Sequence, residues 1–137
     1  MDAFVYVYTF QFLYFFELEH TEIQYQNVYV GYSPSGMVSF TILGISTENQ
    51  RKLLIGLRVS NMADRSKRLK RIIYAGQSTL SIRQYFVYLR ELQIILDNKH
   101  YCLFTFNCRH VSLQILNRLG CHNNEGRTYP TQVFLNK

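Results

Sequence analysis

Apolar and polar positions change period several times along the chain. Residues 3–16 (AFVYVYTFQFLYFF) are aromatic and β-branched and carry no charge, which predicts one or two buried strands. Residues 19–32 (EHTEIQYQNVYVGY) alternate, predicting two short strands joined near Gln26 and Asn27. The stretch 31–36 (GYSPSG) reads as a turn, since proline fixes φ and glycine tolerates positive φ. Another strand is expected over 37–46. Residues 48–76 keep no clean period. Leu53, Leu54 and Leu57 suit a short helix, and Leu69, Ile72 and Ile73 suit a further element, so a mixture of helix and loop is expected.

From Ser78 the spacing turns helical. Ile82, Tyr85, Phe86, Leu89, Leu92 and Leu96 recur on one helical face, and Ser81 with Gln84 has the capping-box pattern. The spacing predicts a helix over 81–97, ending near Asp97-Asn98. Residues 100–106 (HYCLFTF) predict a strand. Asn107 then suits an N-cap, Val111, Ile115, Leu116 and Leu119 supply a buried face, and Gly120 ends the helix. Together these elements predict one α+β domain over 1–137. An antiparallel sheet packs against the helix opening at Cys108 and against the helix at 81–97.

Composition narrows the class. With 137 residues, 47% hydrophobic and only two prolines, the chain can bury a core and is not a disordered tail. The apolar run at 3–16 falls short of the roughly 20 residues a spanning helix needs. Asp2 stands where a leader would carry basic residues, so neither a leader nor a transmembrane segment is expected.

The net charge of +6 is local. Residues 51–71 hold eight Lys/Arg and one acid, Asp64, so this segment is +7 and the remainder −1. Arg65, Lys67, Arg68, Lys70 and Arg71 are candidates for a basic docking surface. It would take an acidic partner or a phosphate-bearing surface such as a nucleic-acid backbone or acidic membrane. The competing reading is a solvated face. No aromatic residue lies between Arg51 and Arg71, which disfavours stacking on single-stranded bases.

The three cysteines, Cys102, Cys108 and Cys121, contain no C-x-x-C pair. No metal or other cofactor is expected, and free thiols fit a reducing compartment, the cytoplasm or nucleus. Cys102 is expected in the core of a strand, and Cys121 with His122 in a loop. His100 and His110 are expected at the surface or in support of a site.

Cys108 is the residue with chemistry. It falls in the first turn of a helix, where N–H groups and the positive helix end favour thiolate over thiol. A nucleophilic thiol also needs a base. His110 is only two positions on, about 200° around the helix, and points away. His20, on a strand, is the better candidate.

Around these two residues the chain resembles the PPPDE (DeSI-type) peptidases. The segment Phe104-Thr105-Phe106-Asn107-Cys108-Arg109-His110-Val111-Ser112 is similar to that family's N-C-x-x-F-[ST] motif. His20-Thr21-x-Ile23 and Val28-Tyr29-Val30-Gly31 match the earlier His strand and its neighbour. The likeness covers 1–36 and 78–121. Glu19 departs from it, where the family has an aromatic residue, as does Val111, where the family has a ring. The segment 51–71 has no counterpart.

The resemblance implies a permuted papain-like fold, within the wider NlpC/P60 and lecithin:retinol acyltransferase-like superfamily. It implies a small thiol hydrolase with a Cys108–His20 dyad, cutting a peptide or isopeptide bond in a protein or peptide substrate such as a ubiquitin-like conjugate. Gln24, Asn27, Tyr29 and Asn107 are the candidates for orienting or oxyanion roles. Two other functions remain open. One is a lipid acyl hydrolase, acyltransferase or cell-wall amidase on the same fold, since Asn107-Cys108-Arg109-His110 resembles the N-C-E-H of those enzymes. The other is a catalytically idle scaffold that binds an acidic partner through its basic segment.

Overall fold

The computed structural model describes residues 1–12, 16–33, 36–41, 68–102, 107–121 and 135–136. These form an α+β fold of one antiparallel sheet and two helices. In chain order the elements are β1 (Asp2–Phe12), β2 (Phe16–Tyr25), β3 (Val28–Ser33), β4 (Gly36–Thr41), β5 (Arg68–Gln77), α1 (Ile82–Asp97), α2 (Cys108–Leu119) and β6 (Leu135–Asn136). The strand order is β4-β3-β2-β1-β5, with β6 added to the start of β2.

The apolar run at the start resolves into β1 and the beginning of β2, two neighbours in register from Phe12↔Phe16 to Ala3↔Tyr25. Alternation sends Ala3, Val5 and Val7 of β1 to one face, together with Ile23 and Tyr25 of β2 and Val28, Val30 and Tyr32 of β3. The β2–β3 connection lies at Gln26-Asn27 as expected, with Gln26 in the left-handed region at φ 57°.

Both helices close over that face. Ser81 caps α1 as its sequence predicts: its Oγ accepts from the Gln84 N–H at 3.1 Å, and Gln84 Oε1 accepts from the Ser81 N–H at 3.0 Å. Tyr85, Phe86, Leu89, Leu92 and Leu96 of α1 join Val111, Ile115, Leu116 and Leu119 of α2 in one core. Each large apolar side chain fully buried there contributes about 1.5–3 kcal/mol. Truncating Ile115 to alanine would cost about 2–5 kcal/mol, because the cavity left adds to the lost transfer energy. The buried Tyr25 hydroxyl fixes the approach to α1, lying 2.6 Å from the Leu80 carbonyl oxygen and 3.1 Å from that of Ser78. Gly120, at φ 81°, closes α2 in the left-handed conformation that glycine adopts without strain.

Three expectations need correction. Residues 68–77, expected within a mixture of helix and loop, form β5. This edge strand takes its order from backbone bonds to β1 and leaves Leu69, Ile72 and Tyr74 exposed, so no apolar period marks it. The turn expected over 31–36 is shorter, because β3 runs through Gly31 to Ser33, which pairs with Gly36 at the start of β4. Cys121, expected in a loop, is buried in the core, where α2 ends against Gly76 of β5.

Of the strand expected over 100–106, residues 100–102 are described; His100 and Tyr101 are not in a strand, Cys102 forms a lone bridge, and Cys102, expected in the core, is only partly buried. The strand expected over 37–46 is described to Thr41. The helix around Leu53, Leu54 and Leu57 lies outside the described residues, as do Arg65, Lys67 and His122. Among the described residues, no helix is long and apolar enough to cross a membrane.

Candidate active site

Asn107 and Cys108 open α2 in the way their sequence suggests. The Asn107 side-chain oxygen accepts from the Arg109 N–H at 3.0 Å. His110 completes the box from the other side, its Nδ1 accepting the Asn107 N–H at 3.2 Å. His110 thus serves the helix start, three residues from the cap. This cap seats Cys108 at the first helical position, facing β2.

The sheet parts where the sulfur sits. The ladder between β2 and β3 ends at Glu22↔Gly31, while β3 runs on with β4 to Ser33↔Gly36. In that split the Thr21 N–H donates to Cys108 Sγ at 3.5 Å. The Thr21 hydroxyl lies 2.8 Å from that of Ser112, one helical turn beyond Cys108. Two adjacent groups of one strand residue therefore locate α2 against β2.

His20 precedes Thr21 on β2, and its imidazole hydrogen-bonds the Cys108 thiol. Cys108 is 1% exposed and His20 4%. Burial alone would push the Cys108 thiol up. Hydrogen bonding and charge interaction with His20, helped by the N–H and hydroxyl of Thr21, outweigh it and hold the thiol below its usual pKa.

The second ring nitrogen is occupied as well. His20 Nε2 lies 3.0 Å from Glu22 Oε2. That contact leaves Nδ1 as the ring nitrogen for the hydrogen bond with the thiol. The Tyr8 ring packs on His20 at 6.3 Å between centroids. Burial, then Glu22 and then Tyr6 push the Tyr8 hydroxyl up to about 12.

Sequence reasoning brought together Cys108 and His20 but not the group on the far side of His20. Gln24 is committed elsewhere: its Oε1 accepts from the Tyr6 hydroxyl at 2.8 Å and its Nε2 donates to the Gln26 carbonyl at 3.0 Å. Asn27 lies in the hairpin turn. Tyr29 packs on Tyr6 at 4.8 Å, and burial with a hydrogen bond to Tyr6 pushes its ionisation upward. Asn107 caps α2. The carboxylate on His20 belongs to Glu22, and the signal was strand alternation: residues two apart on a strand share a face.

Glu19 points to the other side of β2. Its buried carboxylate meets Lys70 Nζ at 2.7 Å and Arg71 Nη1 at 3.6 Å. Two residues proposed for docking thus neutralise a buried acid within the chain. Arg68 is exposed at the start of β5. Among the described residues, no group of three or more His, Cys, Asp or Glu is placed to hold a metal ion. No protein-family model, curated protein or solved structure matches this chain.

Proposed function

We propose that this chain is a small thiol hydrolase of permuted papain-like fold, with Cys108 as nucleophile, His20 as acid–base and Glu22 orienting the imidazole. The observation that carries the reading is the seat of Cys108 Sγ. The sulfur lies at a capped helix start, against the Thr21 N–H, with His20 lowering its pKa and Glu22 behind His20.

The chemistry follows from those positions. The Cys108 thiolate attacks the carbonyl carbon of a peptide or isopeptide bond, and the carbonyl electron pair moves to oxygen. The N-terminal end of α2 faces that developing charge and stabilises it. As the tetrahedral intermediate collapses, the His20 imidazolium gives its proton to the departing amine, leaving a thioester on Cys108. His20, now neutral, takes a proton from water as that water attacks the thioester. The acid product leaves, and the thiolate–imidazolium pair is restored. Glu22 keeps its contact with Nε2 throughout and holds the ring in place.

The test is labelling by an electrophilic peptide or ubiquitin-like probe. Wild type should form a covalent adduct at Cys108, Cys108→Ala none, and His20→Ala far less. Equal labelling of wild type and Cys108→Ala would sink the reading. A thioester trapped from a phospholipid donor, but not from a peptide donor, would redirect it to lipid acyl chemistry.

A further inference from the structure

Gly31 is a puzzle if the sheet alone is considered. It sits inside β3, paired with Glu22 on one side and Val38 on the other. Glycine weakens a strand interior, and one found there often marks a close approach by another group. Among the described residues the positive-φ glycines are Gly36, Gly76 and Gly120, so the backbone at residue 31 does not call for glycine.

The space above it does. A Cβ at residue 31 would lie 3.0 Å from Glu22 Oε2, 3.1 Å from its Cγ and 3.3 Å from its Cδ. Glu22 thus lays the outer part of its side chain across the bare glycine. On its other flank Glu22 faces Tyr6 of β1, whose ring is held against Tyr29 and whose hydroxyl is held by Gln24. The same Oε2 that passes over Gly31 reaches His20 Nε2 at 3.0 Å.

We infer that Gly31 is a positioning residue for the proposed catalytic pair: by lacking a side chain it leaves the space in which Glu22 holds its carboxylate against His20. This rests on reading Cys108 and His20 as a thiolate–imidazolium pair. The three atoms nearest a methyl group at residue 31 all belong to the flexible side chain of Glu22, so the methyl displaces the carboxylate by a few tenths of an ångström and leaves the fold intact. The isopropyl group of valine displaces it further. Moving the negative charge away makes the imidazolium less favourable, so the His20 pKa falls and the Cys108 pKa rises. The titratable groups around this pair are Glu22 on β2, Tyr8 and Tyr6 on β1, Tyr29 on β3 and Cys108 on α2. Of these, Glu22 supplies the three atoms nearest a Cβ at residue 31.

The experiment follows thiolate absorbance against pH, with Cys108→Ser as the blank that removes the other thiols and the tyrosines. Glu22→Gln removes an opposite charge from His20, about one unit at the low end of that effect, and through His20 should raise the Cys108 pKa by up to that amount. Gly31→Val should approach that shift, and Gly31→Ala should give a smaller one in the same direction. Gly31→Val added to Glu22→Gln should shift nothing further, because both act through one contact. A wild-type Cys108 that titrates like an ordinary thiol would overturn the catalytic reading itself. A depressed wild-type pKa that neither Gly31 variant moves, or that Glu22→Gln leaves alone, overturns the positioning role while the catalytic reading stands. Thermal unfolding covers the case of poorly folded variants. Gly31→Val should destabilise wild type more than a Glu22→Ala background, and equal losses in both would overturn the inference.

Discussion

The hydroxyls of Thr21 and Ser112 lie 2.8 Å apart, both buried, and join the His-bearing strand to the Cys-bearing helix. A buried hydroxyl that loses its partner keeps its full desolvation penalty. Ser112→Ala and Thr21→Val should therefore each cost about 1–3 kcal/mol. The double variant should cost less than the sum of the two, by about 1 kcal/mol, since both singles break the same bond. Urea denaturation of the four proteins measures this.

Tyr85 shows the opposite situation. Its ring is fully buried in an edge-to-face contact with Tyr25 at 5.1 Å, but among the described residues its hydroxyl has no hydrogen-bond partner. Burial, with Tyr88 and Tyr25 nearby, pushes its ionisation far upward. Tyr85→Phe keeps the ring contact and removes the unpaired group. It should stabilise the protein by about 1 kcal/mol, seen as a rise of about 4 °C in Tm.

The basic strand residues divide by what they face. Lys70→Glu or Arg71→Glu would set a second carboxylate beside the buried Glu19. Each should cost about 1–2 kcal/mol, less than a fully buried pair because the cations are half exposed. Arg68→Glu should leave the melting temperature within about 2 °C of wild type, as surface changes usually do. Comparing the three melts checks this. It also identifies Arg68 as the described position where charge reversal probes docking without disturbing the fold.

Alkali should destabilise the protein in a defined window. The unfolded Tyr8 loses its proton near 10, whereas the folded one holds it to about 12. Between those values the unfolded state binds fewer protons, so stability falls as pH rises through the window and is fully present below it. Tyr29 and Tyr85 are shifted the same way. Tyr8→Phe should make the decline between pH 10 and 12 shallower, which denaturant midpoints across that range would show.

Much of the local structure was legible because local chemistry causes it. The Ser81–Gln84 box, the Asn107 cap, the Gly120 stop and the buried stripes of α1 and α2 are each written within a few residues. β5 was not legible. An edge strand that leaves Leu69, Ile72 and Tyr74 exposed has no apolar alternation to read, and its order comes from backbone bonds to a strand some 70 residues earlier. Cys121 was misjudged for a similar reason. It follows a helix stop, where a loop is the natural reading, but the end of α2 packs against Gly76. At the site, Cys108 at a helix start and His20 on a strand could be named from types and order. Glu22 could have been, since it shares a face with His20. Gly31 could not, because its role depends on lying opposite Glu22.

The sequence by itself determined the kinds of element, their caps and which faces turn inward, since these depend on period and on neighbours within one turn or strand. It also determined that a thiol stands at a helix start, where thiolate is favoured. Only the tertiary structure decided what meets that thiol. The parting of β2 and β3 opens the seat for the sulfur, and the Thr21–Ser112 bond sets α2 against it. Register then places Glu22 over Gly31 and against His20. Register and strand splitting are properties of paired chains, and no single stretch of residues encodes them.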